Sequence, residues 1–213
     1  MPKARSSALA LCAALLSATS ACVSAPIALE TRLPVRPPTP VYKLYDVPVR
    51  VVATDLMMVR KVEQTGLVPL GFAYRWQFAL GPEVASGLEQ SLRLTFEEVE
   101  LRDAPPQVTE SPALYLEPQI RSFDIGAFSL RTDVVLVYRL LDNQGRVLRE
   151  GSVEGRSSFR SLQLAALFTG FLFPAPALRD SVERALQDAY TQLLAQLDEL
   201  QAAGLLPEVP DAS

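Results

Sequence analysis

The sequence predicts an α+β domain: an antiparallel sheet with two amphipathic helices packed on one face, a two-layer sandwich. Three observations predict it. Two stretches, one after Gly81-Pro82 and one before Gly204, repeat apolar residues every three or four positions, the period of a helix with one buried stripe. Between them, Arg131–Leu141 and Val147–Phe159 read as strands flanking Asp142-Asn143-Gln144-Gly145, a stretch with hairpin-turn chemistry. The order strand, helix, strands, helix lets both helices cover the same side of the sheet.

Each element has its own grounds. Residues 42–63, YKLYDVPVRVVATDLMMVRKVE, are rich in Val, Tyr and Leu and read as one or two strands, with Pro48 near a start or an edge. TGLVPLG, 65–71, reads as a loop. Tyr74, Trp76 and Phe78 alternate, as in a short strand or an extended aromatic segment. Pro82 suits a first helical turn, and Glu83 stands near its positive end. Val84, Leu88, Leu92, Phe96 and Val99 then predict one stripe on a helix of about 18 residues, stopped by Pro105-Pro106. Residues 113–130, ALYLEPQIRSFDIGAFSL, read as a strand broken near Gly126. In the next strand Thr132, Val134, Leu136, Tyr138 and Leu140 line one side, and Val135, Val137 and Leu141 the other, so it belongs inside a sheet. LQLAALFTGFLF, 162–173, carries no charge and is ended by Pro174 and Pro176. The last helix presents Leu178, Val182, Ala185, Ala189, Leu193, Leu197 and Leu200, and the chain from 205 to 213 reads as a frayed tail.

The beginning of the chain has a different character. Lys3 and Arg5 precede an apolar run from Ala8 to Ala18, and small residues lead on to Cys22. That is a charged start, an apolar middle and a processing site, and the run is too short to span a bilayer, which takes about 20 residues. The stretch resembles a bacterial lipoprotein signal, in which residues 1–21 are removed and Cys22 becomes the lipidated first residue. Thr19 stands three places before Cys22, where Leu is usual in such signals. Cys12 fits the letters but leaves too short an apolar run before it. The absence of Asp at position 23 implies, by the same resemblance, the outer membrane, on its periplasmic face. Residues 22–41, with Pro34, Pro37, Pro38 and Pro40, read as a tether of about 20 residues that could stand the domain roughly 50–60 Å away, or as chain that partly packs as an edge strand. The folded domain is expected over 42–204.

Composition narrows the function. The processed chain has about 190 residues, enough for one core-forming domain. Apolar residues make up 49% and charged residues 21%, an ordinary globular balance. Without Lys3 and Arg5 the processed chain holds 18 basic against 24 acidic residues, a net charge of −6, which argues against nucleic acid as a partner. Histidine is absent. That removes Ser-His-Asp and Cys-His catalysis and the commonest metal ligand. With Cys22 lipidated no thiol remains, so neither a metal nor another cofactor is expected.

The remaining motifs each carry a chemical and a structural reading. Glu97, Glu98, Glu100, Asp124 and Asp133 are the acid–base candidates. They read as solvated faces or ion pairs with Arg121 or Arg131. Gly151-Ser152-Val153-Glu154-Gly155 lacks the spacing of a nucleophile elbow or a phosphate loop. It reads as a strand whose glycines permit a bulge or a close approach. The segment 162–173 is either core or a contact for lipid or a partner through Leu167, Phe168, Phe171, Leu172 and Phe173. Trp76 carries the same two readings.

Taken together, the chain resembles the small periplasmic lipoproteins of Gram-negative envelopes. It is most similar to the auxiliary lipoproteins of ABC-type lipid transport systems, and the lipoprotein that plugs the lipopolysaccharide-export barrel has a comparable order of elements. The likeness rests on Tyr74-Arg75-Trp76 ahead of the Pro82 helix with Leu88 and Leu92, and on Tyr138-Arg139-Leu140-Leu141-Asp142 to Gly145 followed by Glu150-Gly151-Ser152. It implies a non-enzymatic accessory of lipid transport or outer-membrane maintenance. Such a protein would be held to outer-membrane lipid by its acyl anchor and would touch an envelope protein, a transport complex or a barrel. The alternative is a structural or regulatory lipoprotein that activates a cell-wall synthase or supports an envelope assembly.

Overall fold

A computed structural model describes residues 23–27, 45–53, 62–67, 73–104, 113–126, 131–157 and 175–206. In chain order these form β1 (Val23–Ile27), β2 (Val49–Val52), β3 (Val62–Leu67), β4 (Ala73–Phe78), α1 (Leu80–Leu92), β5 (Val99–Arg102), β6 (Leu114–Ile125), β7 (Thr132–Leu141), β8 (Val147–Arg156) and α2 (Ala175–Ala202). The class is α+β. A five-stranded sheet runs β5-β2-β6-β7-β8, and a three-stranded sheet runs β1-β4-β3.

The five-stranded sheet is mixed where a purely antiparallel one was expected. The long strands β6, β7 and β8 pair antiparallel, but β2 pairs parallel with both β5 and β6. The reason is connectivity. The chain leaves β2 and returns through α1 before laying down β5, and a helical crossover delivers a parallel neighbour. Pro118 limits the second parallel ladder. Leu114 donates its N–H to Pro48 O at 2.9 Å, so the even-numbered amides of β6 face β2. Pairing stops at Leu116, and the next amide on that side belongs to a proline that has no hydrogen to give.

Alternation on β7 sets the two faces. Thr132, Val134, Leu136, Tyr138 and Leu140 are buried on the helix side. A register shift between Ile120 and Ser122 leaves Arg121 as the extra residue of β6. That bulge keeps Ile120 and Ile125 buried against the helices while Asp124 stays outside, where a regular strand would have reversed them.

α1 ends at Leu92, five residues short of the predicted length. Thr95 and Phe96 both donate to Leu92 O at 2.9 Å. This tight turn frees Val99–Arg102 to become β5 beside β2. The stripe is still buried throughout: Val84, Leu88 and Leu92 on the helix, Phe96 through a bridge to Tyr45, and Val99 on the strand. α2 begins earlier than expected, so Pro176 lies in its first turn, a position that needs no amide hydrogen. Leu178, Val182, Ala185, Ala189, Leu193 and Leu197 are buried. The helix closes at Gly204, φ +66°, where Leu205 donates to Leu200 O at 3.0 Å and Gly204 to Gln201 O at 2.9 Å, the paired bonds of a glycine C-cap. The chain then returns to the core at Leu206, which is 4% exposed.

Glycines allow close approaches between elements. A Cβ on Gly155 would lie 1.8 Å from Ala185 O on α2, and one on Gly87 of α1 would lie 2.6 Å from the Tyr190 hydroxyl. A Cβ on Gly151 would strike the Tyr138 ring at 2.6 Å. The GSVEG stretch is therefore strand with glycines at close approaches. Where β7 starts, β8 ends and α2 begins, a buried triangle of hydroxyls fixes the junction. Ser181 Oγ lies 3.0 Å from Thr132 Oγ1 and 2.7 Å from Ser157 Oγ, and Thr132 donates its N–H to Ser157 Oγ at 2.8 Å.

Candidate docking surfaces

Cys22 and the apolar segment with Leu167, Phe168, Phe171, Leu172 and Phe173 lie outside the described residues. Trp76 is placed on β4, paired with Ala25 and Gln64, and its side chain lies outside the described residues. Three surfaces of the described structure bear on what the molecule can touch.

The first is the sheet face turned away from the helices. Glu117, Arg139 and Glu150 stand in register across β6, β7 and β8. Arg139 Nη2 donates to Glu117 Oε2 at 2.5 Å, with the Glu117 side chain 9% exposed and that of Arg139 50% exposed. With Gln119, Arg121, Val137 and Ser152 they line an open groove of about 560 Å³. Further along the same face, Asp133 lies 3.8 Å from Arg131 and 3.5 Å from Arg156. Beside β2, Glu100 pairs with Arg102 at 3.0 Å and lies 3.7 Å from Arg50. Arg50 in turn donates to the Tyr115 hydroxyl at 2.6 Å. Two of the acid–base candidates, Asp133 and Glu100, are thus ion-paired. Asp124 lies opposite Asp133 in the register, while Glu97 and Glu98 flank β5. The groove offers alternating charges and hydrogen bonds to an extended partner. Among the described residues no three carboxylates or other ligands gather as a metal site.

The second surface is the outer edge of β8. Backbone groups on the free edge of a strand invite another strand. Here α2 occupies them with side chains four residues apart. Arg156 N–H donates to Asp188 Oδ2 at 2.9 Å, and Gln192 Nε2 donates to Glu154 O at 2.7 Å. Gln196 Nε2 donates to Ser152 O at 3.4 Å, while Gln196 Oε1 accepts from the Tyr138 hydroxyl at 2.6 Å. Burial pushes the Tyr138 hydroxyl above its ordinary value, Arg149 opposing and Glu199 adding to the rise. The seal stops short of the hairpin, where Val147 and Leu148 are 49% and 40% exposed.

The third is the three-stranded sheet. β1 lies parallel to β4, starting at Val23, the residue after Cys22. The tether expected over 22–41 therefore contains a paired strand. β3 continues to Leu67, further than the loop expected from residue 65. The far end of this sheet enters the core, where Phe78 is fully buried and its ring packs 5.4 Å from that of Phe123.

Sequence alternation could have disclosed the first surface, since Glu117, Gln119 and Arg121, like Glu150, Ser152, Glu154 and Arg156, recur every second residue. The edge seal had a signal too, Asp188, Gln192 and Gln196 at four-residue spacing on one helix face, but not the identity of the strand it covers.

No family model matches the chain, and no curated protein matches it. Comparison with solved structures gives distant similarities. The protein XCC0632 from Xanthomonas campestris, described under the family model DUF330, is 14% identical with a TM-score of 0.49, and the match covers 84% of this chain and 99% of that one. An uncharacterized protein is 13% identical with a TM-score of 0.42, over 74% and 93%. The hypothetical protein CT253 from Chlamydia trachomatis is 11% identical with a TM-score of 0.43, over 74% and 99%. At these identities no activity passes from those proteins to this chain.

Proposed function

We propose that this chain is a non-enzymatic, lipid-anchored envelope protein, held to the outer membrane by acyl groups on Cys22 and acting as an accessory of lipid transport or outer-membrane maintenance. The observation that carries the reading is the run from Lys3 to Cys22, a charged start, a short apolar stretch and small residues before a cysteine. The first strand is consistent with it, because β1 includes Val23, the residue after Cys22, where the processed chain would begin. The groove supports the accessory role. Its charges are arranged as partners of one another across strands, an arrangement suited to recognition, whereas acid–base catalysis needs groups held with separated pKa values. The missing imidazole argues the same way.

The reading is tested on envelopes of cells producing the full chain. Mass spectrometry is expected to give a triacylated mass at Cys22, and Cys22→Ala should move the protein to the soluble fraction. Unchanged membrane association of that variant defeats the anchoring claim. Crosslinking followed by partner identification separates a transport permease from a cell-wall synthase. A reaction turned over by purified material would end the non-enzymatic reading.

A further inference from the structure

We infer that the groove on the sheet face turned away from the helices binds a small zwitterion, an aminoalkyl phosphate, with its phosphate on Arg121 and its ammonium on Glu150. This deepens the reading of the groove as a recognition surface and does not depend on acylation of Cys22.

The first observation is how the charges are matched. Arg139 stands in register between two carboxylates, Glu117 on β6 and Glu150 on β8, and is ion-paired with Glu117 alone. Further along this face Glu154 pairs with Arg156, and Asp133 lies against Arg131 and Arg156. Arg121 and Glu150 both line the groove, yet among the described residues their side chains have neither an ion pair nor a hydrogen bond. The Glu117–Arg139 pair cancels itself. What the groove presents is therefore a positive wall on β6 and a negative wall on β8.

The second is spacing. Glu150 is level with Arg139, whereas Arg121 is the extra residue between the Ile120–Leu136 and Ser122–Val135 pairs. With strands about 4.8 Å apart and residues about 3.4 Å apart, the two Cα atoms lie roughly 15 Å from each other along a diagonal. Both residues are exposed, and their long side chains can close on a ligand held between them. An aminoalkyl phosphate separates its charges further than an α-amino acid does, so it meets both walls more easily. Bulges re-aim side chains beside functional sites, and this one sets Arg121 at the end of the groove.

The third is the lining. A guanidinium presents paired N–H donors that match phosphate oxygens. Between the walls Gln119 and Ser152 add hydrogen-bonding groups. Among the described lining residues Val137 is the one aliphatic side chain, and the Tyr138 ring is buried on the helix side. A protein partner would need aromatic or apolar anchors there, whereas a small dipolar ligand does not. The groove's volume of about 560 Å³ falls within the range of small-molecule sites, about 300–1,000 Å³.

The test titrates the full-length protein, held in an uncharged sugar detergent, with O-phosphoethanolamine and follows amide and arginine Nε resonances. Shifts should saturate at Gln119, Arg121, Glu150 and Ser152 and be absent at Gln144 on the β7–β8 turn. Inorganic phosphate and ethanolamine each carry half of the charge pattern and should bind about ten-fold more weakly, the loss of one charge-assisted contact. Arg121→Gln and Glu150→Gln, at exposed positions, should each lose a similar factor with an unchanged melting temperature. Glu150→Gln should leave the affinity for inorganic phosphate as it was. Dihexanoyl phosphatidylethanolamine separates the two sources of the ligand. Shifts of the same resonances with this lipid assign a lipid head group, and shifts with the free compound alone assign a soluble aminoalkyl phosphate. Absence of saturating shifts in the groove, equal affinity for inorganic phosphate, or an affinity indifferent to both substitutions overturns the inference. The acyl mass at Cys22 is read separately, so the anchoring stands or falls on its own measurement.

Discussion

At the scale of single residues, backbone clearance and carboxylate partners decide most. Gly155 and Gly204 are both glycines beside α2, yet they fail for different reasons when substituted. Gly155→Ala would drive a methyl into the Ala185 carbonyl, forcing helix from sheet, and should cost about 3 kcal/mol in urea unfolding. Gly204→Ala meets open space but sits at φ +66°, so only the left-handed strain remains, about 1 kcal/mol. Asp142 organises the β7–β8 turn. Its carboxylate accepts N–H bonds from Gln144 at 2.8 Å and Arg146 at 2.9 Å, and the Arg146 guanidinium at 2.7 Å. Burial pushes that carboxyl up, but the donors outweigh it and hold it below its ordinary value. A group depressed in the folded state stabilises above its unfolded value, near 3.9, and loses that contribution as pH falls through the folded value. Asp142→Ala should therefore lower the melting temperature at pH 7, with the gap to the parent protein closing below about pH 4.

At the scale of elements, what was legible in the sequence was whatever burial dictates. The stripe of Val84, Leu88, Leu92, Phe96 and Val99 is buried throughout, but burial along a stripe does not say where helix yields to turn and strand. β5 forms because β2 offers it a ladder, a partner more than 45 residues earlier in the sequence that periodicity within one segment cannot detect. β1 was hidden in the same way, since a proline-bearing stretch reads as extended whether or not something pairs with it. The two-faced β7 and the Asp142–Gly145 turn were legible because their partners are adjacent in sequence. The proposal for Cys22 rests on its own local surroundings in the sequence, whereas the groove needed three strands brought together. The sealing of β8 by α2 gives an element-scale prediction. Gln192→Ala should remove the bond to Glu154 O, costing about 1 kcal/mol. Amide exchange should accelerate along residues 152–156 and not along β7, and the exposed edge should raise the tendency to self-associate.

At the scale of the whole molecule, one hydrogen bond ties the chain before β2 to the end of α2. The Tyr45 hydroxyl donates to Asp198 Oδ1 at 2.5 Å. Burial, with Asp198 adding, pushes that hydroxyl up to about 12. A group raised in this way stabilises below its unfolded value, near 10, and its contribution is lost as pH rises through the folded value. Tyr45→Phe should cost about 1 kcal/mol at neutral pH and nothing relative to the parent near pH 12, as urea midpoints at both values would show. The parallel placement of β2 has a consequence for how the molecule is made. Both of its neighbours are translated after it, β6 more than 60 residues later, whereas β6, β7, β8 and α2 follow one another. A chain emerging from its amino end must keep residues 49–52 waiting unpaired until Val99–Ile125 in its middle third has been synthesised, so the later strands act as the template on which the earlier one is placed.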